Sequence, residues 1–416
     1  MQSTIPSPPA KAQPSSACDA VVAAAAIADL VSRADPSWVP VAEVADFEET
    51  GRGMRATLDL NPGDTIIRIP ESLLITRSVV YRHCPGFKQR PALDEHCALA
   101  MFLYVLACPS EVQARLGCNL NDFGAYRDSL PQAYDTMHYS AEEVLRQSSS
   151  FVPSHIKEKL EVQRSLIQSH TTLASTIFSK LDPSHAFSGP LFVQSWFACN
   201  TRCVSLPPGS QHSMALAPLL DMFNHSPSAK IQMSLSNGFY SLVTMDRWRA
   251  GEQVFIHYGD HDNWDLWIEY GFCIPGNTRA ISVLDDLRLA FPTNGDPVTQ
   301  ERWSVLDSMG LVNDQALSLP ASFALICSLH LLLLPKATPS ESMIAKWKRM
   351  YYSGLVAQVA DEGRYVAAFL KQVVKRKCEL VNNLIANRST SCHPSFAILL
   401  SDTKHLLQAA DVGINS

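Results

Sequence analysis

The sequence predicts an α+β fold on three observations. Strand-like patterns occur in two separate stretches, residues 54–70 and 231–259. A helical stretch of about 100 residues lies between them. Beyond residue ~300 the pattern is helical throughout. This order is neither a βαβ series nor a sandwich. At ~150 residues per domain, 416 residues suggest two or three domains. An apolar share of 46% with 18% charged residues excludes wholesale disorder.

Residues 1–18 are rich in Ser, Pro and Ala, with no acid before Asp19 and no Arg before Arg33. A disordered tail is expected there rather than a signal or transit peptide. Val21–Arg33 can form one helix, stopped at Asp35-Pro36. Met54–Leu60 and Thr65–Pro70 read as strands around the turn Asn61-Pro-Gly-Asp64, which predicts a hairpin. From Asp94 the period becomes helical, with Leu99, Phe102, Leu103 and Leu106 on one face. A polar linker follows, then helices over Ile156–Leu181 and Leu191–Val204.

Ile231–Leu235 and Phe239–Thr244 read as strands around the hairpin turn Asn237-Gly238. Ala250–Gly259 is a turn running into a strand, and Trp264–Tyr270 a short helix. Helices then cover 301–309, 321–334, 341–358, 364–387 and 394–410. The longest apolar run, Ala321–Leu334, falls short of the ~20 residues that a membrane span requires.

There are 34 Lys+Arg against 40 Asp+Glu, which argues against a basic, DNA-coating protein. Residues 336–416 hold 11 Lys/Arg against 6 Asp/Glu, leaving 23 against 34 in the rest. An acidic body with a basic C-terminal part hints at an acidic partner. Eleven cysteines are an odd number and too sparse for a disulfide scaffold. Cys97, Cys108 and Cys327 sit in apolar runs. Cys199 and Cys203 are four apart, with no second pair nearby to close a zinc site. A reduced intracellular protein without structural metal is expected.

Three segments concentrate the chemistry-bearing residues: Gly51-Arg-Gly-Met54, Pro218-Leu-Leu-Asp-Met-Phe-Asn-His-Ser226, and Gly251-Glu-Gln-Val-Phe-Ile-His-Tyr-Gly259 with Glu269-Tyr-Gly-Phe272. Each alone suits a turn, a cap or a packed strand end. In this order and spacing they resemble the signature of SET-domain protein methyltransferases. Asn200-Thr-Arg202, Asp246-Arg-Trp-Arg249 and Gly63–Thr76 resemble the Rubisco-methyltransferase-like branch of that family. The likeness covers residues ~45–280, and 301–416 match as a helical substrate-binding domain.

The resemblance implies a SET-domain β fold with a pseudoknot near Asn224, a helical insertion and an all-helical C-terminal substrate-binding domain. The implied divisions are a tail and short helix over 1–36, SET parts over 37–94 and 191–280, the insertion over 95–190 and the C-terminal domain over 281–416. It implies S-adenosylmethionine as cofactor and no metal. Gly51 and Gly53 would let the cofactor's amino-acid end approach the backbone. Arg202 would pair with its carboxylate. Asn224 would accept from its ammonium, and the His225 backbone would bond the adenine edge, with the imidazole itself not required to act. Phe272 would pack on the adenine, and Asp221 would orient the Asn224 loop. Tyr258 would align the acceptor amine with the methyl group. His257 is expected on the opposite strand face, in a structural role. Tyr240 and Tyr270 could line the channel, with packing favoured for Tyr240.

The activity so implied is protein-lysine N-methylation, on a histone or another protein. Two alternatives stay open: a histidine acceptor on the same fold, and a catalytically silent SET-fold adaptor. A monomer acting in cytoplasm or nucleus is expected, with a plastid disfavoured and no nucleic-acid or membrane partner.

Overall fold

The computed structural model describes residues 17–89, 92–131, 133–277, 281–317, 321–336, 340–356, 364–387 and 392–415. The expected disordered tail lies outside them except for its last two residues. The described chain forms two units. The first comprises residues up to 139 with 161–261 and 268–271, and the second 140–160, 262–267 and 272 onward.

In the first unit, helix α1 (Ala17–Ala34) precedes the sheets, as the apolar run predicted. Strand β1 (Ala42–Phe47) pairs antiparallel with β2 (Gly51–Ala56). Strand β2 pairs with β9 (Gln253–Ile256), and β9 pairs in parallel with the two-residue β6 (Asn224–His225). The order is β1-β2-β9-β6. A second sheet has the order β3-β8-β7, with β3 at Thr65–Pro70, β7 at Ile231–Ser236 and β8 at Phe239–Thr244. A small ladder joins β4 (Cys203–Ser205) to β5 (Met214–Leu216). The Asn237-Gly238 turn forms as expected, with φ of 54° and 79°.

The predicted hairpin around Asn61–Asp64 is not one. The turn itself forms: Asp64 N donates to the Asn61 carbonyl at 3.0 Å, and Asn61 N to Asp64 Oδ2 at 2.7 Å. It turns the chain from one sheet into the other, because β2 lies against β1 and β9 while β3 lies against β8. The true partner, β1, reads Ala-Glu-Val-Ala-Asp-Phe, with acids in place of strand formers. Its turn has no Gly or Pro of its own and draws its positive φ from Gly51, at 68°.

Helix α2 (Arg77–His83) leads to α3 (Glu95–Leu106), in which every residue from Cys97 to Leu106 is buried. The four-residue apolar stripe therefore understated it. A helix apolar on all sides sits inside the fold, and α3 packs against α8 (Gly189–Arg202). Asp94 caps α3, accepting from Cys97 N at 2.8 Å, and lies 3.0 Å from His170 Nε2. Asp94, Cys97 and His170 bring their ligand atoms within 4.8 Å of one another. Trp196 Nε1 donates to His170 Nδ1 at 3.1 Å, so Nδ1 is the acceptor and the proton sits on Nε2, toward Asp94. That tautomer suits a cap network rather than a cation.

The expected polar linker contains three helices, α4 (Ser110–Arg115), α5 (Gly124–Ser129) and α6 (Met137–Ser148). The first two run six residues each, too short to show a period, and are pinned by single buried residues such as Val112 and Tyr126. Helix α7 (Ser154–Leu181) follows as predicted.

The second unit carries α9 (Asn263–Glu269) through Trp267, then α10 (Leu284–Ala290), α11 (Pro297–Ser308), α12 (Phe323–Leu332), α13 (Ser340–Tyr352), α14 (Arg364–Ala386) and α15 (Pro394–Asn415). Leu306, Cys327, Leu331 and Trp347 centre one apolar cluster in it. The two-residue pair β10 (Ile281–Ser282) and β11 (Ala316–Leu317) interrupts the helices. No described helix is long and apolar enough to cross a membrane. Within the basic stretch of α14, Arg376 pairs with Asp286, and Lys377 lies 2.9 Å from the same carboxylate. Two of the four clustered cations are therefore held internally, while Lys371 and Lys375 stay exposed.

Candidate active site

Helix α8 ends on Arg202, so the side chain is delivered from a rigid element. Its Nη1 donates to the Asp221 carbonyl at 2.9 Å and to Asp221 Oδ2 at 3.2 Å. Asp221, whose side chain is 0% exposed, also accepts from the Tyr126 hydroxyl at 3.0 Å. Its Oδ1 is buried and accepts no hydrogen bond from the described residues. Leu219, just before, has φ of 76°, which strains a non-glycine residue and sets the turn that carries Asp221 inward. Burial raises the Asp221 carboxyl, with Arg202 opposing. For Arg202 burial works against the charge, but Asp221, Tyr134 and Tyr126 outweigh it and hold the guanidinium above its ordinary value. The guanidinium therefore keeps its proton. Removing either partner would leave the other charge buried, at a cost of ~3–5 kcal/mol.

Strand β6 brings Asn224 against the start of β2. Asn224 Nδ2 donates to the Arg52 carbonyl at 3.0 Å. Its amide nitrogen is thus committed, and its carbonyl oxygen is the acceptor left for a ligand. Gly53 has no room for a side chain: a Cβ there would meet Asn224 Nδ2 at 2.9 Å and Gln253 Nε2 at 2.3 Å. The second glycine of the motif is needed for Asn224 to close on the strand.

His225 is 7% exposed. Its Nδ1 accepts from Tyr258 N at 3.1 Å, and its ring stacks on Tyr258 with centroids 5.1 Å apart. The imidazole thus has a positioning task that the sequence reading left out. The Tyr258 hydroxyl donates to the Phe223 carbonyl at 2.6 Å, and its ring lies 5.0 Å from Tyr270. Burial pushes the phenol above its ordinary value, so it stays neutral.

Arg202, Asp221, Phe223, Tyr258 and Tyr270 line one pocket, whose other wall is Ile231, Met233, Tyr240 and Leu242 from β7 and β8. Tyr240 is 4% exposed and so both packs and lines. The expectation for His257 is corrected. Strand β9 ends at Ile256, so the alternation of faces does not extend to the next two residues, and His257 lines the pocket together with Tyr258. Its Nε2 lies 3.6 Å from the Asp260 carboxylate.

Gly51, Gly53, Asn224 and His225 gather around β2, β6 and β9, while Arg202 and Asp221 stand with Tyr258 in the pocket wall. Phe272 belongs to the second unit and is half-buried there. Sequence reasoning missed Tyr126, which lay in the supposed linker, and the Phe223 carbonyl, which no side-chain pattern can reveal. It also passed over Cys203 as a pocket residue, although its place next to Arg202 was a usable signal.

The SET domain family model matches residues 51–259. SET domain-containing protein 4 of Mus musculus is 30% identical over 338 residues, 76% of this chain and 73% of that protein. A ribosomal lysine N-methyltransferase of Schizosaccharomyces pombe is 27% identical over 321 residues, 74% of this chain and 75% of its own. Among solved structures, Rubisco LSMT bound to AdoMet is similar with a TM-score of 0.63 at 17% identity, over 94% of this chain and 91% of that one. At that identity the likeness is one of fold.

Proposed function

The chain belongs to the SET domain family, and from that premise we propose that it is an S-adenosylmethionine-dependent protein-lysine N-methyltransferase. The observation that carries this reading is the pocket itself: a buried guanidinium–carboxylate pair and a neutral, hydrogen-bonded tyrosine face the same space.

These residues fit a zwitterionic cofactor. Among the described residues Asp221 Oδ1 is a buried acceptor without a donor, and Asn224 keeps its carbonyl oxygen for an ammonium group. Arg202 has N–H groups beyond Nη1 for a carboxylate. By the family resemblance the His225 backbone is assigned to the adenine edge, and Gly51 with Gly53 to the close backbone approach. When bound, the cofactor supplies an electrophilic methyl on a sulfonium.

The chain's own work is to present a neutral amine in line. A lysine has a reference pKa of ~10.4, so removing its proton near pH ~7.4 costs roughly 4 kcal/mol. Entry into an enclosed pocket lowers that pKa and offsets part of the cost. The Tyr258 hydroxyl donates its hydrogen bond to the Phe223 carbonyl, so its oxygen is left to accept from the amine N–H and turn the lone pair toward the methyl. With its phenol held neutral by burial, Tyr258 aligns and does not act as a base.

The substrate is a protein, histone or non-histone, met in nucleus or cytosol by a monomeric enzyme; this part rests on the family resemblance alone. Calorimetric titration with S-adenosylmethionine tests the reading. Binding is expected, and Asn224→Ala should weaken it by about 1–3 kcal/mol, the usual range for a charged group left unpaired. No binding by the folded wild type would favour the silent adaptor, and unchanged affinity in the variant would remove Asn224 from the cofactor site.

A further inference from the structure

Cys199 and Cys203 lie one helical turn apart at the end of α8. Cys203 caps the helix, its N–H bonded to the Cys199 carbonyl, which holds the two residues in helical register. Four helical steps separate Cα atoms by about 6 Å, inside the range of ~4.4–6.8 Å that a disulfide spans. Cys203 is half-buried and lines the reaction pocket next to Arg202, whereas Cys199 is 0% exposed behind it.

We propose that Cys199 and Cys203 are an oxidative modification site: a hydroperoxide entering the pocket oxidises Cys203, and Cys199 then closes a disulfide with it. In the first step the Cys203 thiolate attacks the peroxide. The O–O bond breaks, the sulfur is oxidised by two electrons to a sulfenic acid, and the peroxide leaves as alcohol or water. In the second, the Cys199 sulfur displaces hydroxide from Cys203, which leaves as water with the thiol proton. The pair is oxidised and the peroxide reduced, with no further reactant.

The order of attack follows from the surroundings. Contact with the Cys199 thiol, which itself donates to the His96 carbonyl at 3.8 Å, holds the Cys203 sulfur below the usual thiol range, against burial and the Glu269 charge. Burial pushes Cys199 itself up, which suits a resolving thiol reached only from Cys203. A second close pair, Cys84 and Cys118, shares the thiol contact but is buried on both sides and lines no part of the reaction pocket. It is an internal control.

Joining the sulfurs would draw Cys203 back along α8 and disturb the adjoining Arg202–Asp221 pair. The effect on methyl transfer rests on the function proposed above; the formation of the disulfide does not. The sequence makes the disulfide readable, since trypsin cuts after Arg202 and releases Cys199 in peptide 181–202 and Cys203 in peptide 203–230. Full-length protein is treated with hydrogen peroxide, its free thiols are alkylated, and it is digested without reductant. The expected product is peptide 181–202 linked to 203–230, with Cys84 and Cys118 still alkylated. In Cys199→Ser the sulfenic acid on Cys203 should persist and be trapped by dimedone, and Cys203→Ser should give neither product.

Methyl transfer, scaled to each protein's own untreated rate, should fall about tenfold in the wild type, equal to ~1.4 kcal/mol of barrier, and recover with dithiothreitol. Two separate alkylated peptides after peroxide, or oxidation of Cys84 and Cys118 first, would overturn the site. A cross-link without loss of activity would overturn only its effect on Arg202.

Discussion

Tyr258→Phe removes one oxygen and keeps a ring, so its consequences can be separated. The ring's stacking on His225 and its contact with Tyr270 persist. The 2.6 Å bond to the Phe223 carbonyl is lost, leaving a buried acceptor without its donor, which costs about 1–3 kcal/mol of stability. The same oxygen is the one group proposed to orient the amine, a role felt mainly in the transition state. Losing it should cost about 2–4 kcal/mol in kcat, roughly 30- to 1000-fold, with cofactor affinity nearly unchanged. Single-turnover methyl transfer at saturating cofactor measures the rate, and a urea titration measures the stability. Because burial keeps the phenol neutral, the ratio of wild-type to variant rates should stay flat from neutral pH to pH ~9. A rate within about threefold of wild type would refute the alignment role. A ratio that grows with pH would show that the phenolate acts as a base.

Other expected outcomes follow from single contacts. In Gly53→Ala the Gln253 amide can swing aside, but Asn224 is held by the Arg52 carbonyl; cofactor affinity should drop by about 1–2 kcal/mol by titration, and unchanged binding would show that the close approach is unnecessary. Burial, with His170 beside one and Arg164 beside the other, holds His96 and His138 at about 4 against an ordinary 6.5. The unfolded chain then binds more protons than the native one, so this stability is complete above pH 6.5 and is lost as pH falls through about 4. Each group contributes up to ~3 kcal/mol, and His138→Gln should flatten the urea midpoint over that window; an unchanged slope would refute it. Asp286→Ala should destabilise the second unit by about 1–2 kcal/mol in thermal unfolding, since Arg376 and Lys377 lose their shared partner. Lys371→Glu with Lys375→Glu should leave stability alone and raise KM for protein substrate; the reverse pattern would mean that the exposed lysines are structural.

The parts of the fold that a reader can find in the sequence are those with a strong local cause. The Asn237-Gly238 hairpin, the long helix over Ser154–Leu181 and the C-terminal helices each carry their own period or turn chemistry. The partner of β2 was hidden because pairing is not local: a well-formed Asn61–Asp64 turn looks the same whether it closes a hairpin or passes between sheets. Helix α3 looked amphipathic because Cys and Ala positions count for little in a pattern, yet all of them are buried.

The candidate site was found by motif, and geometry added its wiring. Sequence could place Arg202 and Asp221 on one list, but not join them in a buried pair. It could suggest Tyr258, but not the Phe223 carbonyl that accepts from its hydroxyl or the His225 nitrogen that holds its backbone. His257 was misplaced for a simple reason: strand alternation was carried two residues beyond the end of β9.

The central claim is methyl transfer from S-adenosylmethionine to a lysine of a protein. Incubating the purified enzyme with a cell extract and isotope-labelled cofactor, then mapping labelled peptides by mass spectrometry, tests it most directly. The expected result is label on lysine side chains, lost in Tyr258→Phe. Label confined to histidine would move the acceptor to an imidazole, and no label on any protein, from an enzyme that binds the cofactor, would contradict the account.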